Sequence, residues 1–148
     1  EMLAACEAAL PADLFIASAA VADYRPAACA AGKLKKDPGS DTGMTLQLVR
    51  NPDILATLAS HAQRPWCVGF AAETDDVLGY ASDKLTRKNL DLIIANDVSQ
   101  PGIGFNSDDN AVTLIDRSLT PQSLPRASKH KLARQIIAFI AKHLNTPA

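Results

Sequence analysis

Aromatic residues make up only 5% of the chain, and 15 basic against 16 acidic side chains leave a net charge of −1. A nucleic-acid platform needs stacking rings and a basic face, so that class is excluded, and any anion site must be built locally. No apolar run approaches the roughly 20 residues that cross a bilayer, and no signal-peptide pattern is present, so a membrane role is not expected. Cys6, Cys29 and Cys67 are far apart, odd in number and without Cys-x-x-Cys spacing. That pattern suits reduced thiols in a cytoplasmic protein better than a disulfide framework or a zinc knuckle. His61, His130 and His143 show no ligand spacing either. Several fingerprints are missing. No G-x-G-x-x-G follows a strand, and Gly102 with Gly104 comes too late, which weighs against a dinucleotide oxidoreductase. There is no Walker lysine motif and no G-x-S-x-G elbow. The acids around Asn106–Asn110 lack EF-hand spacing.

What is there is an ordinary globular balance, 47% hydrophobic and 21% charged over 148 residues, enough for one domain with a real core. Residues 2–10 are Ala-rich and helical, with no cap before them, which suggests a fragment. Leu14 to Val21 is nearly all apolar and predicts a strand covered on both faces. Residues 26–43 combine Pro26, Gly32, Pro38, Gly39 and Gly43 with Lys33-Leu34-Lys35-Lys36, a mobile loop. Residues 44–49 alternate as a half-exposed strand. Asn51-Pro52-Asp53 reads as a helix start with Asn51 as cap, followed by a buried face of Ile54, Leu55, Leu58 and Ala62. A core strand over 66–72 follows, then a helix capped by Thr74 with Val77, Leu78, Ala81 and Leu85 inward. A strand over 90–95 leads through a glycine-bearing loop to another at 112–115. Residues 117–127 read as a loop, and Ser128 caps a final helix with Leu132, Ile136, Ile140 and Leu144 inward, plus Ala133 and Ile137. Strands alternating with helices indicate an α/β fold with a largely parallel sheet.

Ligands of such sheets sit at the carboxyl ends of the strands. Asp23, Glu73 and Asp97 each follow a core strand, so the three carboxylates can share a metal–nucleotide site; solvated turn carboxylates are the alternative. The lysine run beginning at Lys33 is either a solvated charge run or a flap that closes cations over phosphates or an oxyanion. Lys84 and Lys88 share a helix face beside Arg87, where cations also offset the helix dipole. The Asn51–Ile54 helix start offers amides to an anion or simply caps the helix, although Asp53 would repel a bare phosphate.

Seven blocks in order resemble one family: Ala19-Ala20-Val21-Ala22-Asp23-Tyr24, Lys33-Leu34-Lys35-Lys36, Asn51-Pro52-Asp53-Ile54-Leu55, Val68-Gly69-Phe70-Ala71-Ala72-Glu73-Thr74, Lys84 with Arg87-Lys88-Asn89-Leu90-Asp91, Ala95-Asn96-Asp97-Val98 and Gly104-Phe105-Asn106-Ser107-Asp108. The family is phosphopantothenate–cysteine ligase, usually the C-terminal half of a bifunctional bacterial coenzyme A biosynthesis flavoprotein. The resemblance implies a Rossmann-like three-layer sandwich, here lacking its N-terminal strand–loop segment, with the flap loop 26–43 inserted in one domain over 1–148. It implies CTP as co-substrate with Mg2+, 4′-phosphopantothenate and cysteine as substrates, and an acyl-cytidylate intermediate. Carried over by position, Ala19, Ala20, Asp23, Lys33, Pro52, Asp53, Ile54, Leu55, Phe70, Lys84 and Lys88 would contact the nucleotide. Asp23 would meet the metal, and Lys33 would be the catalytic flap lysine. The resemblance further implies a homodimer, for which the 44–49 strand is the candidate contact, and a flavin decarboxylase domain that would carry FMN elsewhere. The 148 residues are expected not to complete the reaction alone. A non-catalytic nucleotide-binding or regulatory domain on the same fold is the alternative.

Overall fold

The computed structural model describes residues 1–35, 43–73, 76–97 and 107–144, without the side chains of Glu73 and Asp97. The chain divides into two compact units, 1–18 with 54–148, and 19–53.

The larger unit holds a five-stranded sheet of order β1-β4-β5-β6-β7. Its strands are β1 (Leu14–Ile16), β4 (Trp66–Glu73), β5 (Leu92–Asp97), β6 (Asp109–Asp116) and β7 (Pro121–Ser128). The β1–β4 and β4–β5 pairings are parallel, and β6 and β7 add antiparallel. Side chains alternate across the strands, as the two-residue period requires. Cys67, Ala71, Ile93, Ala95 and Ile115 face one core with α2 (Ile54–Ala59) and α3 (Val77–Arg87). Val68, Leu92, Ile94, Val112 and Leu114 face a second core under α4 (Lys129–Leu144). Helices on both faces of a mixed sheet make this an α/β, Rossmann-like three-layer sandwich. A short helix α1 (Met2–Ala8), which buries none of its residues, precedes β1.

Several expectations need correcting. The first strand stops at Ile16 rather than running to Val21, and its residues are only half-buried because it lies at the sheet edge. Residues 117–127 are no loop excursion: β7 occupies most of them. Its prolines stand where a strand tolerates them. Pro121 is the first residue, and Pro125 falls at the irregularity in register opposite Asn110/Val112. The α3 cap is Asp76, whose Oδ1 accepts the Gly79 amide at 3.3 Å, whereas Thr74 lies outside the described residues. Leu78, Ile137 and Leu144 are exposed, as are Ala62 and Ala133. The Ser128 cap is as expected, with Oγ accepting the Lys131 amide at 3.3 Å.

The smaller unit is a two-stranded antiparallel ribbon of β2 (Tyr24–Pro26) and β3 (Leu48–Arg50), with Tyr24 opposite Arg50 and Pro26 opposite Leu48. β2 ends where the expected loop begins, at Pro26, and of the strand expected over 44–49 only Leu48 and Val49 lie in β3, whose three residues are all exposed rather than half-exposed. The second half of the lysine run, 36–42, lies outside the described residues, as do 98–106.

Candidate functional site

In the 19–53 unit the sequence motif around Asn51 does a different job from the one its spacing suggests. Helix α2 begins at Ile54, and the Asn51 side chain is not its cap. Asn51 Nδ2 donates to the Ala22 carbonyl at 2.7 Å, and Oδ1 accepts from Arg25 Nη1 at 2.9 Å. The Asn51 amide donates to the Asp23 carbonyl at 2.8 Å, and Arg25 Nη1 also donates to the Arg50 carbonyl at 2.9 Å. These bonds lash the Ala22–Asp23 segment to the residues leading into Pro52 and Asp53. Two predicted binding segments are thus brought together, with the side chains of Asp23, Pro52 and Asp53 exposed. Ala19, Ala20 and Lys33 are exposed in irregular backbone of the same unit.

In the larger unit, Lys84 Nζ donates to the Phe70 carbonyl at 3.0 Å. That carbonyl belongs to the part of β4 beyond the end of β1, whose last paired residue is Ile16 opposite Val68. The Phe70 ring is 40% exposed in the middle of a strand otherwise rich in buried residues. Its neighbour Gly69 is glycine for want of space, since a Cβ there would lie 2.8 Å from Leu90 Cδ1 and 2.9 Å from Leu55 Cδ2. Leu55, Gly69, Phe70 and Lys84 therefore form one contiguous group. The Leu55 side chain is buried in the core, so what it can offer a ligand is backbone. Ile54 is half-buried beside it, and Lys88 ends α3 as its C-cap, half-buried.

Asn96 stands in one of the seven resembling blocks, but no role at the site follows for it from the sequence. It lies opposite Ala72 in the β4–β5 register, on the sheet face shared by Phe70, Ala72 and Asn96 toward the carboxyl ends of both strands. Its Oδ1 is buried and has no hydrogen-bond partner among the described residues. An orphaned buried acceptor is costly and calls for a donor. An asparagine closing the apolar run from Leu92 to Ala95 was the available signal.

Glu73 and Asp97 are register partners at those strand ends, while Asp23 belongs to the other unit. Among the described residues no group of three or more His, Cys, Asp or Glu side chains could hold a metal ion. A magnesium ion carried by a nucleotide takes most of its ligands from phosphate and water and needs one or two carboxylates. The exposed Asp23 carboxylate fits that limited role.

Helices on both faces of a mixed, five-stranded sheet define the class of Rossmann-like α/β domains. The particular family follows from comparison. Residues 1–144 match the model of the DNA/pantothenate metabolism flavoprotein C-terminal domain, and the chain belongs to that family. It is 52% identical over 132 residues to the coenzyme A biosynthesis bifunctional protein CoaBC of Vibrio cholerae, covering 88% of this chain and 33% of that protein. The Escherichia coli K12 protein of the same name is 55% identical over 104 residues, 70% of this chain and 26% of that protein. The match thus spans between about a quarter and a third of the length of these relatives. Among solved structures, the C-terminal domain of a CoaBC protein superposes with a TM-score of 0.71 at 33% identity, covering 97% of this chain and 61% of that one. A Streptococcus pneumoniae flavoprotein of the same group shares the fold at a TM-score of 0.73 and 21% identity. No helix among the described residues is long and apolar enough to cross a membrane.

Proposed function

We propose that this chain is the nucleotide-binding part of a CTP-dependent phosphopantothenate–cysteine ligase acting in coenzyme A biosynthesis. A carboxylate oxygen of 4′-phosphopantothenate attacks the α-phosphorus of CTP, and pyrophosphate leaves. The amine of cysteine then attacks the acyl carbon, CMP leaves with the bonding electron pair, and the amine gives up a proton, leaving an amide.

The observation that carries this reading is the exposed Phe70 ring on the same sheet face as the unpartnered Asn96 acceptor. A nucleobase with an exocyclic amine would supply the donor that Asn96 lacks, and the Phe70 ring would offer a stacking face. Lys84 and Lys88 would meet phosphate oxygens, while Ala19 and Ala20 would let backbone approach the substrate closely. Pro52 to Leu55 would present the start of α2. Both half-reactions build negative charge on oxygen, which preorganised cations stabilise. Lys33 is the residue assigned to the amide-forming step. Magnesium, when bound, would neutralise part of the triphosphate charge, with Asp23 as its protein ligand.

Calorimetric titration with CTP, ATP and NAD tests the reading. CTP is expected to bind most tightly, and tighter NAD binding would overturn it. In the complete ligase, Lys33→Ala should leave CTP affinity within about twofold while slowing amide formation by roughly 10²-fold or more, in line with loss of one oxyanion donor. Normal turnover would remove Lys33 from the chemistry.

A homodimer is part of the same proposal, built on the β2–β3 ribbon. Met44, Leu46, Leu48, Val49 and Tyr24 are all exposed there, and a second copy would cover them.

A further inference from the structure

Asp91 is the one buried charged side chain among the described residues, 6% exposed, and the chemistry proposed above does not use it. Its Oδ2 accepts the Cys67 amide at 2.7 Å and Arg64 Nη2 at 2.5 Å, and its Oδ1 accepts Arg117 Nε at 2.9 Å. The same two arginines grip Asn89. Arg64 Nη2 reaches the Asn89 carbonyl at 3.1 Å, and Arg117 Nη2 reaches that carbonyl at 3.2 Å and Asn89 Oδ1 at 3.0 Å. Asn89 Nδ2 in turn donates to the Ala59 carbonyl at the end of α2 at 2.9 Å.

Asn89 has φ 54° and closes α3 as a Schellman turn, with the Leu90 amide on the Leu85 carbonyl at 2.9 Å and its own amide on Thr86 at 3.1 Å. One polar cluster therefore holds both the start of β4, at Cys67, and the C-terminal end of α3. Further along the same two elements, Lys84 of α3 meets Phe70 of β4. Val77, Ala81 and Leu85 of α3 share the core that Cys67 and Ala71 of β4 face. The polar ties at the end of α3 add to that packing a directional anchor along the strand.

We propose that the Asp91–Arg64–Arg117–Asn89 clasp is a positioning device for the nucleotide site, and that Arg117 is a positioning residue acting through Lys84. The inference rests on the proposed nucleotide reading and goes beyond it, because Arg117 contacts neither Phe70 nor Lys84 in the bonds described. A shift of α3 on the order of 1 Å would misplace the Lys84 ammonium, and displacements of that size are costly in an active site.

The test is steady-state kinetics of the complete ligase polypeptide with CTP varied. Arg117→Ala is expected to raise KM for CTP about fivefold, with kcat and KM for the acid substrate changed less than about twofold. In a Lys84→Ala background the same substitution should change KM for CTP by less than about twofold, since coupled residues are not additive. Arg117→Lys keeps a charge for Asp91 but loses the fork that reaches Asn89, so it should fall between wild type and Arg117→Ala; it also serves if the alanine variant does not fold. A lowered melting temperature with unchanged KM for CTP would overturn the proposal, as would equal effects in both backgrounds. Wild-type enzyme without nucleotide-dependent ligation would overturn the functional reading as well, which separates the two failures.

Discussion

At the scale of single residues, the chain's charged groups divide into those bonded inside the fold, such as Asp91, and those exposed at its surface, such as Asp23 and Lys33. Asp91→Ala would leave the buried Cys67 amide without its acceptor and the partly exposed Arg64 and Arg117 without their carboxylate, at a cost of about 1–3 kcal/mol in chemical denaturation. Gly69→Ala would press a methyl against Leu55 and Leu90 and is expected to cost about 1–3 kcal/mol. Asp116 adds a pH dependence. Burial pushes its carboxyl up, but hydrogen bonds from the Ser118 hydroxyl and amide, together with the nearby His143, outweigh that and hold it below the usual carboxylate range. A lowered folded-state pKa gives stability that is present above the unfolded value, here near 3.8, and lost as pH falls through the lower folded value. Asp116→Asn should therefore flatten the acid limb of a melting-temperature profile, and an unchanged limb would remove Asp116 from it. Cys67 is the opposite case: burial pushes its thiol up, and only unfolding should expose it to a thiol reagent, whereas exposed Cys29 should react in the native protein. Little of the polar bonding was legible beforehand. Asn51 has the composition of a helix cap, yet its partners are Ala22 and Arg25, far away in sequence, and no spacing rule reports such a contact. Asp91 was visible only as part of a motif, because its arginines come from two other elements.

At the scale of elements, periodicity located β4, β5, β6, α3 and α4 well, because each buries one or both faces against a continuous core. It failed where burial was weak. β1 was overextended, since Ala17 to Val21 is apolar without being in a strand, and the exposed residues of β2 gave no pattern at all. β7 was missed because two prolines argue against a strand and only its edge position makes them tolerable. The exposed apolar side chains of β3 carry a prediction of their own. Leu48→Lys should lower the association state of the complete protein in sedimentation measurements; an unchanged state would exclude the ribbon as the contact between copies.

At the scale of the whole molecule, the layered α/β plan was readable from strand–helix alternation, and the family from seven ordered blocks. Where the predicted site residues fall was not: Ala19 to Asp53 lie in one compact unit and Ile54 to Lys88 in the other. The two margins of the sheet differ. Among the described residues, β7 ends the sheet with prolines that deny a neighbour its hydrogen bonds, while β1 ends it with the half-buried, wholly apolar Leu14-Phe15-Ile16. The sheet can therefore lengthen in one direction only. Self-association of this chain should proceed through the β1 margin, and a charged substitution at Phe15 should suppress it more than any change on β7.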